Sequence, residues 1–351
     1  MHPHNQVTTF TYDTKHFNFI VKSHKEIEAP FDNVLRRKWK QAEEAKIFRY
    51  ILNIKDSKTL KGRYRFLAQL NPQRALCRRA PQLITSMSQP FNSTAFNFTK
   101  LKQPEILLDI GNGDGNDIVA INTSPLEQCH CLLLTERLKC LPQNMTEYSL
   151  RKAIELCLLS NSCFLRVIFN SLCAQASVNH LHWHLYYLTH EMLLEYIDIC
   201  NYAYGVYLLV DYPAKGLCIK LSSFENIGDF ISRAFLVVNY LQLQQIAHNV
   251  YITRAKLKPN DELYSDLRIY VWARKSCVGI KDTIAFMPAV CELFGHLSIK
   301  DENVYDNLKE NDVVDLLSDI TDESFLLVKD KLLYFLKEHL GKEISESSKE
   351  W

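Results

Sequence analysis

The stretch ASVNHLHWHLYYL, residues 176–188, holds the densest local pattern in the chain. His180, His182 and His184 alternate in it with large apolar residues. On a β-strand this alternation places the three imidazoles on one face, with successive residues of that face roughly 6.5–7 Å apart. Three histidines on one face are hard to explain by packing alone, because each buried ring nitrogen needs a hydrogen-bond partner. The stretch therefore predicts a strand that carries a functional site.

The segments on either side of this stretch predict an α+β fold around an antiparallel sheet. Most of them are short, rich in β-branched and aromatic residues, and separated by loops of the hairpin type. The predicted strands are 62–70, 118–122, 129–134, 164–172, 177–188, 204–212, 216–222, 246–254 and 266–274. Helical spacing predicts helices over 31–52, 148–160, 225–244 and 312–340, and a frayed tail from residue 344.

The composition is that of a soluble globular protein and excludes several classes. The chain has 351 residues, of which 47% are hydrophobic and 23% charged, and its net charge is +1. The balanced charge argues against a protein that binds nucleic acid or a membrane surface, and no apolar run approaches the ~18 residues of a membrane span. The chain has 10 glycines, less than half of the roughly 7% found on average. This deficit excludes collagen-like and P-loop-rich architectures.

The cysteines and the N-terminus predict a cytoplasmic protein. The chain has 11 cysteines, an odd number, and no Cys-x-x-Cys pair is among them. Its first residues contain no apolar segment of the secretory type. We therefore expect reduced thiols that lie mostly in the core.

Charge is unevenly distributed along the chain. Residues 21–80 hold 16 Lys or Arg and 6 Asp or Glu. Part of this basic stretch, above all Arg74, Arg78 and Arg79, is predicted to face an anionic ligand. A solvated basic surface is the alternative interpretation.

Two kinds of chemistry are consistent with the alternating histidines. In the first, they bind a metal such as zinc, which activates a water molecule for hydrolysis. In the second, one imidazole attacks a phosphorus atom while an acceptor such as a backbone carbonyl fixes its far ring nitrogen. A phosphoryl site also needs donors for phosphate oxygens, and Asn170, Ser171 and Ser177 precede the histidines. The loop DIGNGDGND (109–117) lacks the closing Glu of a calcium loop and is predicted to be a hairpin connection.

The histidine motif resembles the His-x-His-x-His motif of the histidine-triad superfamily. Within that superfamily the chain resembles the GDP-D-glucose phosphorylases, the animal relatives of plant GDP-L-galactose phosphorylase. The segments that carry this resemblance follow the family's order and cover about residues 30–300. They are FRYIL, RFLAQLNPQRALCRRAPQ, FNFTK, INTSPLEQCHCLLL, FNSLCAQASVNHLHWHLYYL, IAHNVYITR and WARKSCVGIKD. The ordered set is more specific for the family than the triad alone.

The resemblance implies a ping-pong phosphorolysis of GDP-glucose. His182 matches the family's nucleophile, which attacks the α-phosphorus, expels glucose 1-phosphate and forms a guanylyl-histidine. Inorganic phosphate then attacks that intermediate and releases GDP. His184 matches the triad position that contacts the phosphoryl group, and His180 the position that helps to place the nucleophile. His130 matches an upstream histidine that packs beside the triad.

The resemblance also implies which residues bind nucleotide and phosphate. Asn170 and Ser177 match phosphate-contacting positions, and Asn122 matches a position used for the ribose hydroxyls. The basic residues of family-like segments suit a diphosphate or an incoming phosphate, and these are Arg78, Arg79, Arg274 and Lys281. The expected ligands are a GDP-sugar and inorganic phosphate, with no metal, no other cofactor, no nucleic acid and no membrane. A monomer or a homodimer is expected.

Enzymes similar to galactose 1-phosphate uridylyltransferase contain two triad-like halves in one chain. The resemblance therefore implies a histidine-triad-like antiparallel sheet with flanking helices, built from two fused halves. We predict an N-terminal extension over 1–25 and the catalytic half over 26–200. A second half that lost its histidines, with C-terminal helices, is predicted over 201–345, and a tail over 346–351.

The chain departs from the family pattern where relatives carry glycine. The residues at these positions are Cys129, Cys173, Ala174 and Leu185. Glycine at such places lets the backbone approach a phosphate or adopt a positive φ, so an added side chain could narrow the site. Two alternatives to an active phosphorylase therefore stay open. One is a guanine-nucleotide-binding paralogue with weak or no turnover, and the other is a related nucleotidyltransferase or hydrolase acting on another sugar nucleotide.

Overall fold

The structure is a computed structural model that describes residues 7–23, 27–281 and 286–347, with side chains as far as residue 341. Its strands, in chain order, are β1 (Thr8–Thr9), β2 (Val21–Lys22), β3 (Asp56–Thr59), β4 (Leu67–Leu70), β5 (Leu83–Ile84), β6 (Ile106–Asp109), β7 (Ile118–Ile121), β8 (Cys131–Leu134), β9 (Leu165–Asn170), β10 (Trp183–Tyr187), β11 (Cys200–Ala203), β12 (Val206–Leu209), β13 (Gly216–Lys220), β14 (His248–Ala255), β15 (Leu263–Tyr264), β16 (Asp266–Ala273), β17 (Gly279–Ile280) and β18 (His296–Ile299). Its α-helices are α1 (Pro30–Glu44), α2 (Gln73–Cys77), α3 (Glu147–Leu159), α4 (Ile227–Leu243), α5 (Val290–Leu293), α6 (Glu302–Asn307) and α7 (Glu310–Ser347).

An 11-stranded sheet organises the chain, in the order β1-β6-β7-β8-β10-β9-β14-β16-β13-β12-β11. Each neighbouring pair is antiparallel except β1 and β6, which run parallel. Strand β9 pairs with β10 on one side and with β14 on the other, so strands from before and after residue 200 form one continuous sheet. The predicted α+β fold with an antiparallel sheet and flanking helices is confirmed.

One face of the sheet is covered by helices. Helix α1 begins at Pro30, a residue that suits the first helical position because no intrahelical donor is needed there. Phe31, Leu35 and Trp39 follow four residues apart and pack on the sheet as one apolar stripe. Helices α3 and α4 and the C-terminal part of α7 belong to the same hydrophobic cluster.

The opposite face is covered by a second layer. This layer contains the small sheet β18-β4-β3, helix α5 and the beginning of α7. Alternate residues of β10 point to opposite faces, so Leu185 packs among the helices and Tyr186 packs in the second layer. His184 shares the face of Tyr186, and the triad therefore opens toward the second layer rather than toward the helices.

Several turns use non-glycine residues with left-handed backbone. Helix α1 is closed by Lys46 (φ 56) and helix α4 by Gln245 (φ 55). After each helix, the next backbone N–H donates to a carbonyl of the last turn, from Ile47 to Ala42 and from Ile246 to Leu241. Glycine is the usual residue at this position of such a cap, so the glycine deficit of the sequence appears in the structure as strained turns.

The observed elements differ from the predictions mainly at their ends. The helix predicted over 31–52 ends at Glu44, because Lys46 turns the chain away. The strand predicted over 62–70 begins only at Leu67, after Arg65 in left-handed backbone (φ 55). Helix α7 continues through Ser347 where a frayed tail was predicted, and residues 348–351 lie outside the described residues.

Two further observations concern the ends and the surface of the fold. Strand β1, which lies in the predicted N-terminal extension, pairs with β6 and extends the main sheet. Among the described residues, no helix is both long and apolar enough to cross a membrane.

Candidate active site

His182 lies one residue before β10, and its backbone is held by the side chain of Gln143. The amide oxygen of Gln143 accepts the His182 N–H at 2.8 Å, and the amide nitrogen donates to the His182 carbonyl at 3.0 Å. The same nitrogen donates to the carbonyl of Asn170 at the end of β9, at 2.9 Å. Gln143 is fully buried. The strand prediction over 177–188 is wrong at its N-terminal part, because this amide replaces a sheet neighbour there.

The imidazole of His182 is fixed in one tautomer. Its Nδ1 lies 2.7 Å from the carbonyl oxygen of His180. A carbonyl only accepts, so Nδ1 carries the proton and Nε2 keeps a lone pair. The Phe98 ring lies against this imidazole, with the two ring centroids 5.0 Å apart. The residue is therefore held as a neutral base with a defined direction.

His180 is held by the backbone on both sides of its ring. Its Nδ1 accepts the N–H of Phe98 at 3.0 Å, and its Nε2 donates to the carbonyl of Arg137 at 3.0 Å. Both ring nitrogens are occupied, so the imidazole has no group left for a ligand. What His180 offers to the neighbouring His182 is its backbone carbonyl.

His130 and His184 form a second hydrogen-bonded pair. The Nδ1 of His130 accepts the N–H of Leu126 at 2.9 Å, which places the ring proton on Nε2. This Nε2 lies 3.0 Å from the Nδ1 of His184 and donates to it. The proton of neutral His184 must then be on Nε2, so His184 presents a donor. The amide of Asn122 lies 3.5 Å from the Nδ1 of His184 and closes this end of the network.

Burial keeps these imidazoles uncharged. Desolvation is the main cause that lowers the pKa of His182 to about 4 and of His180 to about 4. The same cause puts the pKa of His184 and of His130 well below the ordinary value, with further lowering by the neighbouring histidine or by Arg74. Five buried histidines share this direction, and they are His130, His180, His182, His248 and His296. The partly buried His184 shares it as well.

Two adjoining cavities meet at the triad. The first, here the nucleophile cavity, has a volume of about 70 Å³ and is lined by His182 together with Phe98, Leu132 and Val178. The second, here the distal cavity, also has a volume of about 70 Å³ and is lined by residues of β9, α5 and β18. The side chains that line both cavities are Arg74, Arg78, Ser177 and His184. A group at this junction would touch the donor of His184 and two cations.

The structure brings most of the sequence-predicted residues to these walls. Asn170 and Lys281 line the distal cavity, and Asn122 and Arg79 line the nucleophile cavity. Ser177 and Arg78 line both, as stated above. The Arg79 guanidinium also lies over the Phe96 ring, 3.3 Å from its centroid. Burial, and after it the Arg78 charge, lower the pKa of Lys281 to about 7.

Arg274 does not reach either cavity wall. Its guanidinium is buried and donates to the Pro288 carbonyl at 2.6 Å and to the Asn249 side-chain oxygen at 3.4 Å. Asn249 in turn donates to the side-chain oxygen of Asn170 at 2.8 Å, and Val290 N–H donates to the same oxygen at 3.1 Å. The amide oxygen of Asn170 is thus occupied, and its NH₂ group is the donor that faces the distal cavity. Arg274 was predicted to contact a ligand, but it lies behind Asn249, which itself lies behind the cavity residue Asn170.

Sequence reasoning missed several residues of the site. Gln143 and Phe98 hold the triad. Gln143 lies outside the family-like segments, and Phe98 lies in the segment FNFTK but was given no role. Arg74, which the basic stretch predicted to face an anionic ligand, was not missed and lines both cavities. The other missed wall residues come from the turn before the triad and from the segment α5–β18, and they are Gln175, Glu292, Ser298 and Lys300. The segment α5–β18 lies more than a hundred residues after the triad, so no local pattern connects the two.

Two of the four positions with a missing glycine have left-handed backbone. Cys129 (φ 55) and Cys173 (φ 57) are such positions, and so is Gln175 (φ 75) in the turn before the triad. Leu185 lies in regular β10 and packs in the core. Burial raises the pKa of the Cys173 thiol, which keeps it unreactive.

The metal interpretation finds no support in the geometry. Within residues 7–23, 27–281 and 286–347, no three His, Cys, Asp or Glu side chains are arranged to hold a metal ion. Four ring nitrogens of the triad already bond to backbone or to His130, as described above. In the loop 109–117, the Asp109 carboxylate accepts the N–H groups of its own turn from Gly111, Gly113 and Gly115.

Sequence comparison assigns both parts of the chain to one family. Residues 30–186 match the family "GDPGP1-like, N-terminal domain", and residues 191–339 match "GDPGP1-like, C-terminal domain". The GDP-D-glucose phosphorylase 1 of Homo sapiens is 40% identical over 307 residues, which cover 83% of this chain and 80% of the relative. The protein of the same name from Danio rerio is 36% identical over 319 residues, 89% of this chain and 91% of the relative. The GDP-L-galactose phosphorylase 2 of Arabidopsis thaliana is 28% identical over 345 residues, 88% of this chain and 77% of the relative.

Structural comparison supports the same fold. The crystal structure of yeast Ap4A phosphorylase Apa2 in complex with Ap4A superimposes with a TM-score of 0.56. The superposition covers 84% of this chain and 98% of that chain, at 16% sequence identity. The structure of the same enzyme with AMP gives a TM-score of 0.55 at 15% identity, covering 86% of this chain and 96% of that chain. At this level of identity the likeness concerns the fold alone.

Proposed function

The chain belongs to the GDPGP1-like family, and from this membership we propose that it catalyses the phosphorolysis of GDP-D-glucose to GDP and glucose 1-phosphate. The family resemblance drawn from the triad motif is confirmed. The relatives named above as GDP-D-glucose phosphorylases support the substrate, and the triad geometry supports the chemistry. The reaction is a transfer of a guanylyl group, first to the enzyme and then to inorganic phosphate.

In the first step, His182 is the nucleophile. The Nε2 lone pair attacks the α-phosphorus of GDP-glucose, and a P–N bond forms. The bond between the α-phosphorus and the bridging oxygen breaks, and the electron pair leaves on that oxygen with glucose 1-phosphate. The His180 carbonyl stabilises the positive charge that develops on the ring, because it accepts the Nδ1 proton at 2.7 Å. His184 donates from Nε2 to a phosphoryl oxygen at the junction of the two cavities.

In the second step, inorganic phosphate replaces glucose 1-phosphate in the distal cavity. A phosphate oxygen attacks the α-phosphorus, the P–N bond breaks, and its electron pair returns to the Nε2 of His182. GDP is released and the nucleophile is regenerated. The cations Arg74, Arg78 and Lys281 are suited to hold the phosphate in both steps. The NH₂ group of Asn170 adds a neutral donor to the same wall.

The observation that carries this proposal is the fixed tautomer of His182 on the wall of the nucleophile cavity, next to His184 at the junction with the distal cavity. A neutral imidazole with its lone pair directed into a cavity is a nucleophile at physiological pH, and no metal is needed to activate it. We also propose that the protein is a monomer or a homodimer. The structure has 11 free cysteines, which supports the reducing environment of the cytoplasm.

Labelling of the enzyme tests the proposal. The protein is incubated with GDP-glucose carrying radioactive α-phosphate, in the absence of inorganic phosphate. We expect acid-labile label on the wild type, its release as GDP when phosphate is added, and no label on His182→Asn. The asparagine amide keeps a donor toward the His180 carbonyl and removes the lone pair of Nε2.

A matched control exists in the second half of the chain. His248 is buried and its Nδ1 lies 2.9 Å from the carbonyl of Ile246, two residues earlier, as His182 does toward His180. His248 lines neither cavity, so His248→Asn should become labelled like the wild type. Tight binding of GDP without any label on the wild type would contradict the phosphorylase and support the nucleotide-binding paralogue.

A further inference from the structure

The distal cavity has to hold the leaving group of the proposed first step. In a displacement at phosphorus, the attacking and leaving atoms lie roughly in line with the phosphorus between them. His182 lines the nucleophile cavity and not the distal cavity, whereas His184 and Ser177 line both. With the α-phosphorus at this junction, the bond opposite His182 points into the distal cavity. The phosphate of glucose 1-phosphate and its hexose ring therefore lie in the distal cavity.

The described charged side chains of the distal cavity are of two kinds, cations that suit a phosphate and one carboxylate that does not. Arg74, Arg78, Lys281 and Lys300 line the cavity and attract the phosphate. Glu292 is the acidic side chain among the described residues that line it. A carboxylate repels a phosphate dianion, so Glu292 has no use in holding that part of the leaving group. It can instead accept hydrogen bonds from the hydroxyl groups of a sugar.

Glu292 is held in a position that leaves part of its capacity to accept hydrogen bonds unused. One carboxylate oxygen accepts the Ala289 N–H at 2.8 Å, and the other accepts the Ser298 N–H at 3.4 Å. An ionised carboxylate has about four acceptor sites, so about two remain for a ligand. Glu292 is 6% exposed, and a hydrogen bond made there is little weakened by water.

Ser298 lies beside Glu292 on the same wall. It belongs to β18, whose alternate residues Leu297 and Ile299 pack in the second layer, so that Ser298 faces the cavity together with Lys300. A serine hydroxyl can donate and accept. A carboxylate and a hydroxyl side by side suit a neutral polyol, because each hydroxyl group of the polyol can donate and accept a hydrogen bond.

We propose that Glu292 and Ser298 bind the hydroxyl groups of the hexose and determine which sugar the enzyme accepts. This inference rests on the proposed function, because it needs hexose 1-phosphate as the leaving group. It gives the second half of the chain a role: the first half supplies the nucleophile, and the segment α5–β18 supplies the recognition of the sugar.

The test compares two substrates that differ only in the hexose. GDP-glucose is compared with the β-methyl ester of GDP, which keeps the diphosphate and lacks the sugar. We expect Glu292→Gln to lower kcat/KM for GDP-glucose about tenfold, and Ser298→Ala to lower it about threefold. With the methyl ester both variants should stay within about twofold of the wild type, because no hydroxyl remains to be bound. The value of kcat/KM for inorganic phosphate, which reacts when no sugar is present, should also be unchanged.

A control variant and a labelling measurement distinguish failure of this inference from failure of the proposed function. Glu127→Gln alters a carboxylate that accepts from Gln69 in the neighbouring layer at 2.9 Å but lines neither cavity, and it should act on both substrates like the wild type. Equal losses of Glu292→Gln on both substrates would mean that Glu292 only supports its loop, and they would overturn the inference. Labelling of His182 is measured in parallel. If the wild type forms no guanylyl-histidine, the proposed function fails, and this inference fails with it.

Discussion

Replacing Gln143 by methionine should separate the positioning of the nucleophile from its chemistry. The side chain of Gln143 makes three hydrogen bonds to backbone groups, two of them to His182 and one to Asn170. Methionine has a similar length and makes none of them. At about 1 kcal/mol for each bond, the free energy of unfolding should fall by about 3 kcal/mol. The His182 backbone would also lose its fixed place, and a displacement near 1 Å costs about 100-fold in rate.

Two measurements on the same samples test this prediction. Urea denaturation gives the free energy of unfolding, and rapid-quench labelling by GDP-glucose gives the rate of guanylylation. Asn161→Leu is the control, because its amide bridges the N–H of Ala29 and the carbonyl of Ile27 far from the cavities. The control should lose about 2 kcal/mol from the two bonds of this amide among the described residues and become labelled at the wild-type rate. Gln143→Met protein that is folded and labels as fast as the wild type would refute the reasoning.

Three other perturbations have defined outcomes. The five buried histidines and His184 are neutral in the folded protein, with the pKa of His182 lowered to about 4, whereas unfolded histidine titrates near 6.5. The unfolded chain thus binds more protons between these values, and Tm should fall as the pH is lowered from about 6.5 to 4; a Tm that stays constant in calorimetry would contradict this. The pKa of Lys281 near 7 predicts that KM for phosphate rises above pH 7 more steeply in the wild type than in Lys281→Arg, and parallel profiles would disprove a role for its charge. Lys46→Gly and Gln245→Gly should each raise the free energy of unfolding by about 0.5–1 kcal/mol in urea, since glycine relieves the left-handed strain, and a loss at both sites would be inconsistent with that strain.

The sequence predicts where the triad lies because the motif is local. The alternation of histidines with apolar residues predicts that the imidazoles lie on one face, whereas the role of His182 as nucleophile follows from the family resemblance and stays a prediction. The extent of the strand is not predictable in the same way. His180 and His182 lie before β10, and the amide of Gln143, from a distant loop, takes the place of a sheet partner. An alternating pattern predicts which face of a strand is buried, but it does not predict which groups form hydrogen bonds with the backbone N–H and C=O groups.

Charge in the sequence predicts only some of the basic residues that line the cavities. Arg78 and Lys281 line the cavities as expected, whereas Arg274 is used inside the protein to hold the Pro288 carbonyl. Both kinds of arginine look the same in a sequence. Glu292 and Ser298 escape sequence reasoning because single polar residues in a short helix and a short strand carry no pattern. Only the pairing of β18 with β4 brings them to the triad.

The glycine deficit of the sequence corresponds to left-handed turns that carry side chains near the triad. Cys129 and Cys173 stand at positions where the family resemblance implies glycine, and both have a positive φ. The chain thus keeps the left-handed turns around the triad and accepts the strain of a side chain, of order 1–3 kcal/mol for each residue. The predicted narrowing of the site at Leu185 has no counterpart, because that residue packs in the core.

The pairing of β9 with β14 has a consequence for how this protein can be divided. These two strands are buried along their whole length in the middle of the sheet. A chain cut between the two family segments would expose the unpaired edge of an apolar strand on each fragment, and such edges join with one another and aggregate. Neither fragment would therefore be an independent building block for expression, fusion or exchange between relatives.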